Sequence, residues 1–140
     1  MTNDEFKRHL NEIPFHVLLG LRVEEIREGY ARLRLPFRPE FIGDARRPAL
    51  HGGLLSTLVD TCGGIAVWAS GEPGDRVATI DLRVDYLRPA PPGDLLAEAC
   101  VRLMGNRVGN ASVTVFAADD PETPLVEGRG VYNVRRGERT

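Results

Sequence analysis

Hydrophobic positions along the chain first recur at helical spacing: Phe6, Leu10 and Ile13 follow a Thr2/Glu5 pair with capping-box separation. This predicts a short helix ending near Pro14, with one further turn over Phe15–Gly20. From Leu21 the period shortens. Leu21, Val23 and Ile26 lead to a Glu28-Gly29 turn, after which Tyr30, Arg32 and Arg34 alternate with Ala31, Leu33 and Leu35. That pattern predicts a two-stranded hairpin. Pro36 to Leu50 carries Pro36, Pro39, Pro48, Gly43 and the pair Arg46-Arg47, and reads as an irregular loop.

The middle of the chain reads LHGGLLSTLVDTCGGIAVWASG, and Leu55, Leu58, Val59, Cys62, Ile65, Ala66 and Ala69 fall on one helical face. The spacing predicts a helix of about four turns. Gly63-Gly64 in its second half costs about 1 kcal/mol per residue against alanine, which implies the close approach of another backbone. Beyond the turn at Gly71-Glu72-Pro73-Gly74, Val77–Leu87 sets Ala78, Ile80, Leu82, Val84 and Tyr86 against Thr79, Asp81, Arg83 and Asp85. Arg88–Gly93 stops this strand, and Leu95–Met104, Val108–Ala118 and Leu125–Val134 continue as three more, joined by Gly105-Asn106 and Asp119–Pro124. The expected fold is α+β, one domain over residues 1–140, with a six-stranded antiparallel sheet wrapped around a long central helix. The last four strands are expected to form a meander, and leftover sheet edges are places for subunits to pair.

Charge narrows the function classes. Eighteen Lys and Arg against twenty Asp and Glu give a net charge of −2, without the basic excess of a nucleic-acid binder. Lys7 is the single lysine, so every other cation is an arginine, the better fork for phosphate. Cys62 and Cys100 have no metal-ligand spacing, and no metal or redox cofactor is implied. Reduced thiols, a polar N-terminus unlike a signal peptide and an apolar stretch, Leu54–Ala69, too short and interrupted for a bilayer predict a soluble, cytoplasmic protein without a membrane partner.

Asp60 is the only formally charged residue between Pro48 and Gly71. An ionised carboxylate in an apolar helix needs partners or a wet pocket. Position 60 is no helix end, and residues 56, 57, 63 and 64 are Ser, Thr, Gly and Gly, so neither capping nor a helical ion pair accounts for it. Two readings stand: a buried Asp bonded to a neighbouring element, or a general base or nucleophile. His51-Gly52-Gly53 lies immediately before the helix. First-turn N–H groups lack helical acceptors and carry the positive end of the dipole, and glycines admit a substrate oxygen to the backbone. Those are the parts of an oxyanion hole, and equally of a plain glycine turn. His51 reads as acid, base or a tie for its loop. Cys62, on the apolar face, reads as packing.

The string HGGLLSTLVDTCGGIA resembles the signature of PaaI-like hotdog thioesterases, in which a catalytic acid follows His-Gly-Gly nine residues after the His. ATIDLRVDYLRPAPPGD resembles the same family's third strand and its ending, and the likeness runs from about Pro14 to Val134. It implies that Asp60 activates water or attacks a thioester carbonyl. It further implies that Gly52, with Gly53 beside it, polarises that carbonyl, and that Thr79 positions the water. Relatives pair as dimers, often as dimers of dimers, with each site across the interface, so Asp60 of one subunit would face the His51-Gly52 loop of the other. Such relatives usually carry Asn six residues before the His, where this chain has Ala45 in a loop that offers Gly43 or Asp44 instead.

The substrate so implied is an acyl- or aroyl-coenzyme A, with coenzyme A part of the substrate rather than a cofactor. Arg46, Arg47, Arg88 and Arg107 are candidates for its phosphates, or simply solvated charges. Two other classes compete: a non-catalytic acyl-coenzyme A binding module, and a hotdog hydratase or dehydratase, whose catalytic His and acid sit in a different arrangement.

Overall fold

The computed structural model describes residues 2–72 and 74–137; Pro73 of the expected turn lies outside them. Helix α1 (Asn3–Asn11) opens on the predicted capping box, with both reciprocal bonds formed by Thr2 and Glu5. Pro14 occupies the first turn of α2 (Pro14–Leu19), where its missing N–H costs nothing, and Gly20 ends it in the left-handed region at φ 76°. The hairpin follows as β1 (Arg22–Arg27) and β2 (Tyr30–Leu35).

The segment expected to be irregular is structured. Pro39–Phe41 makes one 3-10 turn, and β3 (Ile42–Asp44) pairs with β4 (Ala49–Leu50) as a two-stranded ribbon. The ribbon folds tightly on the residue before the central helix. The His51 N–H donates to Phe41 O at 2.9 Å, and a Cβ at Gly43 would lie 2.7 Å from the His51 Cα.

Helix α3 (Gly52–Ala69) has 18 residues, about five turns rather than four. By length and composition alone it is apolar enough to cross a membrane, but half of it is buried inside the fold, as in a core helix. Its apolar side is occupied by the sheet. Leu55, Leu58, Val59, Cys62, Ile65 and Ala66 are buried in one cluster with Ala31, Leu33, Ala97, Val113, Val115 and Val126. The opposite side, centred on Asp60, is only half-buried.

Strands β5 (Arg76–Tyr86), β6 (Leu95–Met104), β7 (Val108–Ala117) and β8 (Pro124–Arg135) complete a six-stranded antiparallel sheet of order β1-β2-β6-β7-β8-β5. The fold is the expected α+β hotdog, but the four-strand meander is corrected: only β6-β7-β8 form one. Strand β5 pairs with β8 and lies at the far edge, three strand positions from β6. Three spacings of about 4.8 Å are easily bridged by the eight-residue connection 87–94, which can extend about 26 Å. Pro89, Pro91 and Pro92 in that connection lack the N–H groups of a tight hairpin.

The expected alternation of β5 is also corrected. The pairing with β8 shifts register between Thr79 and Asp81, so Ile80 is the extra residue of a bulge. Leu82 and Val84 pack on the core, and Thr79 joins their inward face instead of Ile80, which is 58 % exposed.

Candidate active site

Two polar clusters lie along α3, and β5 contributes to both. At the middle of the helix the Thr79 hydroxyl donates to Asp60 Oδ1 at 2.7 Å. The bulge at Ile80 makes this contact possible, because strict alternation from Leu82 would have turned Thr79 outward. The carboxylate thus has a neutral donor on one oxygen and stands on the half-buried face of the helix.

The main chain at Asp60 is held from the other side. Tyr132, on β8 and paired across the strands with Thr79, donates its hydroxyl to the Asp60 carbonyl at 2.8 Å. Side chains at Gly63 and Gly130 would occupy the space of this ring, and one at Gly64 would touch it at 3.3 Å. Gly63 and Gly64 therefore make room for a tyrosine ring and not, as expected, for a backbone. Burial, and next the charge of Asp60, push the Tyr132 phenol well above its usual range, so it remains a donor at any assay pH.

The second cluster is at the start of α3. His51 is the N-cap, and its Nδ1 accepts the Gly53 N–H at 2.8 Å, so that nitrogen carries no proton. The Leu54 N–H returns to His51 O at 3.0 Å. Gly52 is left with an N–H that has no acceptor among the described residues, while its carbonyl accepts the Tyr86 hydroxyl at 2.7 Å. Ser56 Oγ bonds the same Tyr86 hydroxyl. Gly52 also lines a cleft of about 310 Å³ with Leu50, Leu55, Tyr86 and Arg88.

The predicted residues are thus divided. Asp60 meets Thr79; His51, Gly52 and Gly53 form a unit; and Arg88 shares the Gly52 cleft, with its guanidinium bonded to Pro124 O. Arg46 and Arg47 lie at the exposed tip of the β3–β4 ribbon, where their N–H groups donate to Asp44 Oδ1. Asp44 is therefore engaged in its own turn. Arg107 is exposed before β7, near the other end of α3, since a Cβ at nearby Gly109 would meet Val67. Cys62 is fully buried, and desolvation raises its thiol well above the usual range, as suits packing rather than nucleophilic attack.

Tyr132, Tyr86 and Ser56 went unrecognised in the sequence. A signal for Tyr132 existed: Gly63-Gly64 on the helix and Gly130 beside the tyrosine are the small residues that a large ring requires opposite it.

Asp60 lies eight residues beyond Gly52 on α3, about 12 Å along the axis. A base and an oxyanion donor for one carbonyl must both come within about 3 Å of the reacting atoms. In one chain these two do not.

Comparison with known proteins identifies the family. The sequence model of the thioesterase superfamily matches residues 48–123. A Halobacterium salinarum protein named as an esterase is 41 % identical over 127 residues, 86 % of this chain and 83 % of that one. The medium/long-chain acyl-CoA thioesterase YigI of Salmonella typhimurium is 30 % identical over 132 residues, 85 % and 83 % of the two chains. A solved thioesterase-superfamily protein superposes with a TM-score of 0.85 at 37 % identity, covering 94 % of this chain and 97 % of its own.

Proposed function

The chain belongs to the thioesterase superfamily and is a thioester hydrolase, and we propose that it hydrolyses the thioester of an acyl- or aroyl-coenzyme A in a site shared by two copies of the chain. The observation that carries this reading is the separation just described: Asp60 with Thr79 on one stretch of α3, and an acceptor-free Gly52 N–H two turns away.

Strand β5 supplies a way to join the halves. It is an 11-residue sheet edge, carrying Thr79 beside Asp60 near one end and Tyr86 beside Gly52 at the other. Antiparallel pairing of two such edges, centred near Arg83, sets Thr79 of each chain beside Tyr86 of its partner. Each Asp60 then faces the partner's Gly52, twice over, as a two-fold axis requires. The exposed Ile80 is covered in that arrangement.

In this reading Asp60 accepts a proton from water as the water oxygen attacks the thioester carbon. The Thr79 hydroxyl fixes which oxygen of the carboxylate is free for that work. The carbonyl oxygen becomes an oxyanion and takes the Gly52 N–H, at the positive end of α3. Collapse expels the coenzyme A thiolate, which recovers the proton from Asp60, leaving free acid and thiol. Arg88, on the Gly52 cleft, is the cation best placed for the phosphates of the leaving group.

The test is thiol release from a panel of acyl- and aroyl-coenzyme A esters. The wild type is expected to turn over at least one class, and Asp60→Asn to lower kcat by about 10²–10⁴-fold with the fold intact. Undiminished turnover by Asp60→Asn removes Asp60 from the chemistry.

A further inference from the structure

Ser56, Tyr86 and Gly52 form a chain of hydrogen bonds at the start of α3 that the reaction above does not use. The Tyr86 hydroxyl donates to the Gly52 carbonyl at 2.7 Å, which spends its one hydrogen. In its bond with Ser56 Oγ the same oxygen must therefore accept, so Ser56 is the donor there. The direction is fixed: Ser56 O–H to Tyr86 O–H to Gly52 C=O. Each donation polarises the next, so the last bond is strengthened by the one behind it.

The chain ends on the residue whose N–H has no acceptor. Glycine has the widest backbone freedom of any residue, and the first turn of a helix lacks the full set of bonds that hold its interior. Gly52 and Gly53 stand together in that turn, but both peptide units that flank Gly52 are pinned. In the Gly52–Gly53 unit the C=O takes the Tyr86 hydroxyl and the N–H goes to His51 Nδ1 at 2.8 Å. In the His51–Gly52 unit the C=O takes the Leu54 N–H at 3.0 Å, and the N–H is the group without an acceptor among the described residues. Three of the four polar groups are thus spent, and they hold the fourth. Two of these ties are local; the one from Tyr86 comes from another element. The ring is itself well placed to hold. Tyr86 pairs with Val126 on β8, the next N–H, of Leu87, donates to Leu125 O at 2.9 Å, and a Cβ at Gly52 would stand 3.4 Å from the Tyr86 Cε1.

We propose that Tyr86, with Ser56 behind it, is a positioning residue for the Gly52 N–H: its hydroxyl holds the glycine so that this N–H meets the thioester oxygen as that oxygen gains charge. This rests on Gly52 as the oxyanion donor. Tyr86 and Ser56 act through Gly52 and not on the reacting atoms. A Gly52 N–H free to turn would be aligned only part of the time, and misalignment costs most where the charge is greatest, in the transition state.

Tyr86→Phe keeps the ring against Gly52 and removes the hydroxyl. In thiol release it is expected to lower kcat about tenfold with KM within about twofold. Ser56→Ala is expected to cost about threefold, and adding it to Tyr86→Phe to cost nothing more, because Ser56 acts only through the missing hydroxyl. Additive losses, or full kcat in Tyr86→Phe, overturn the proposal.

A binding experiment without turnover separates this role from the donor itself. The probes are the ketone analogue of hexanoyl-coenzyme A, with CH₂ in place of the thioester sulfur, and S-hexyl-coenzyme A, which has no carbonyl; neither can be hydrolysed. Calorimetry of the wild type is expected to give a Kd about fivefold lower for the ketone. Gly52→Pro and Tyr86→Phe are each expected to remove most of that preference and to leave the thioether Kd within about twofold. A preference lost in Gly52→Pro but whole in Tyr86→Phe overturns the positioning role alone. A preference that survives Gly52→Pro, or that the wild type lacks, overturns the donor assignment and the positioning role with it.

Discussion

The Tyr132 hydroxyl donates to the main-chain carbonyl of Asp60 at 2.8 Å, from a phenol ring that is 1 % exposed. Its cross-strand neighbour Thr79 donates to the carboxylate of the same residue at 2.7 Å. One residue is therefore held at its backbone and at its side chain by a single pair of strands. A hydrogen bond to a charged group contributes about 1.5–3 kcal/mol and one to a neutral carbonyl about 1 kcal/mol. The larger effect is orientation, because a carboxylate in a helix with a free rotamer would point at its target only part of the time.

Tyr132→Phe keeps the ring that fills the glycine cradle and removes the hydroxyl. The expected result is a kcat about tenfold lower with KM within twofold, beside a loss of stability of about 1 kcal/mol. Steady-state kinetics well below the unfolding midpoint separates the two effects. A lower midpoint with unchanged kcat would make Tyr132 a packing residue only.

Thr79→Ala frees one oxygen of Asp60 from its donor and is expected to cost about tenfold in kcat. Thr79→Ser, which restores the hydroxyl, should recover most of it. An alanine variant as fast as the wild type would take the hydroxyl out of the site.

The edge of β5 gives a prediction about assembly. Ile80→Lys places a charge on the exposed edge without touching the core, since Ile80 is the bulged residue. Light scattering should show a smaller species, and activity should fall with it. A variant that dissociates and keeps full activity would place the whole site within one chain.

Much of this was legible in the residues. Asp60 stood out as a lone charge in an apolar helix, and Gly52 as a glycine at that helix's first turn. The strands were legible from alternation, but alternation reports which face a residue takes and not which strand lies beside it. Hence β5 was expected next to β6, although Pro89, Pro91 and Pro92 already argued against a hairpin there. The inward turn of Thr79 was hidden for a related reason: a bulge adds one residue and reverses the faces on one side of it, and Ile80 is as good a strand residue as any. Tyr132 was hidden because its role lies in the fit of one ring to glycines on another element, which no period along a single strand records.

The central claim is that Asp60 of one chain and the Gly52 N–H of another act on the same thioester, and subunit complementation tests it directly. Gly52→Pro removes that N–H while suiting the first helical position, and His51 before it is already extended at ψ 132°. Alone, Asp60→Asn and Gly52→Pro are each expected to lose about 10²-fold or more in thiol release. Co-expressed, they form hybrids with one intact site, Asp60 from one chain and Gly52 from the other, and activity should return to a substantial fraction of wild type. Hybrids as inactive as their parents would contradict the shared site.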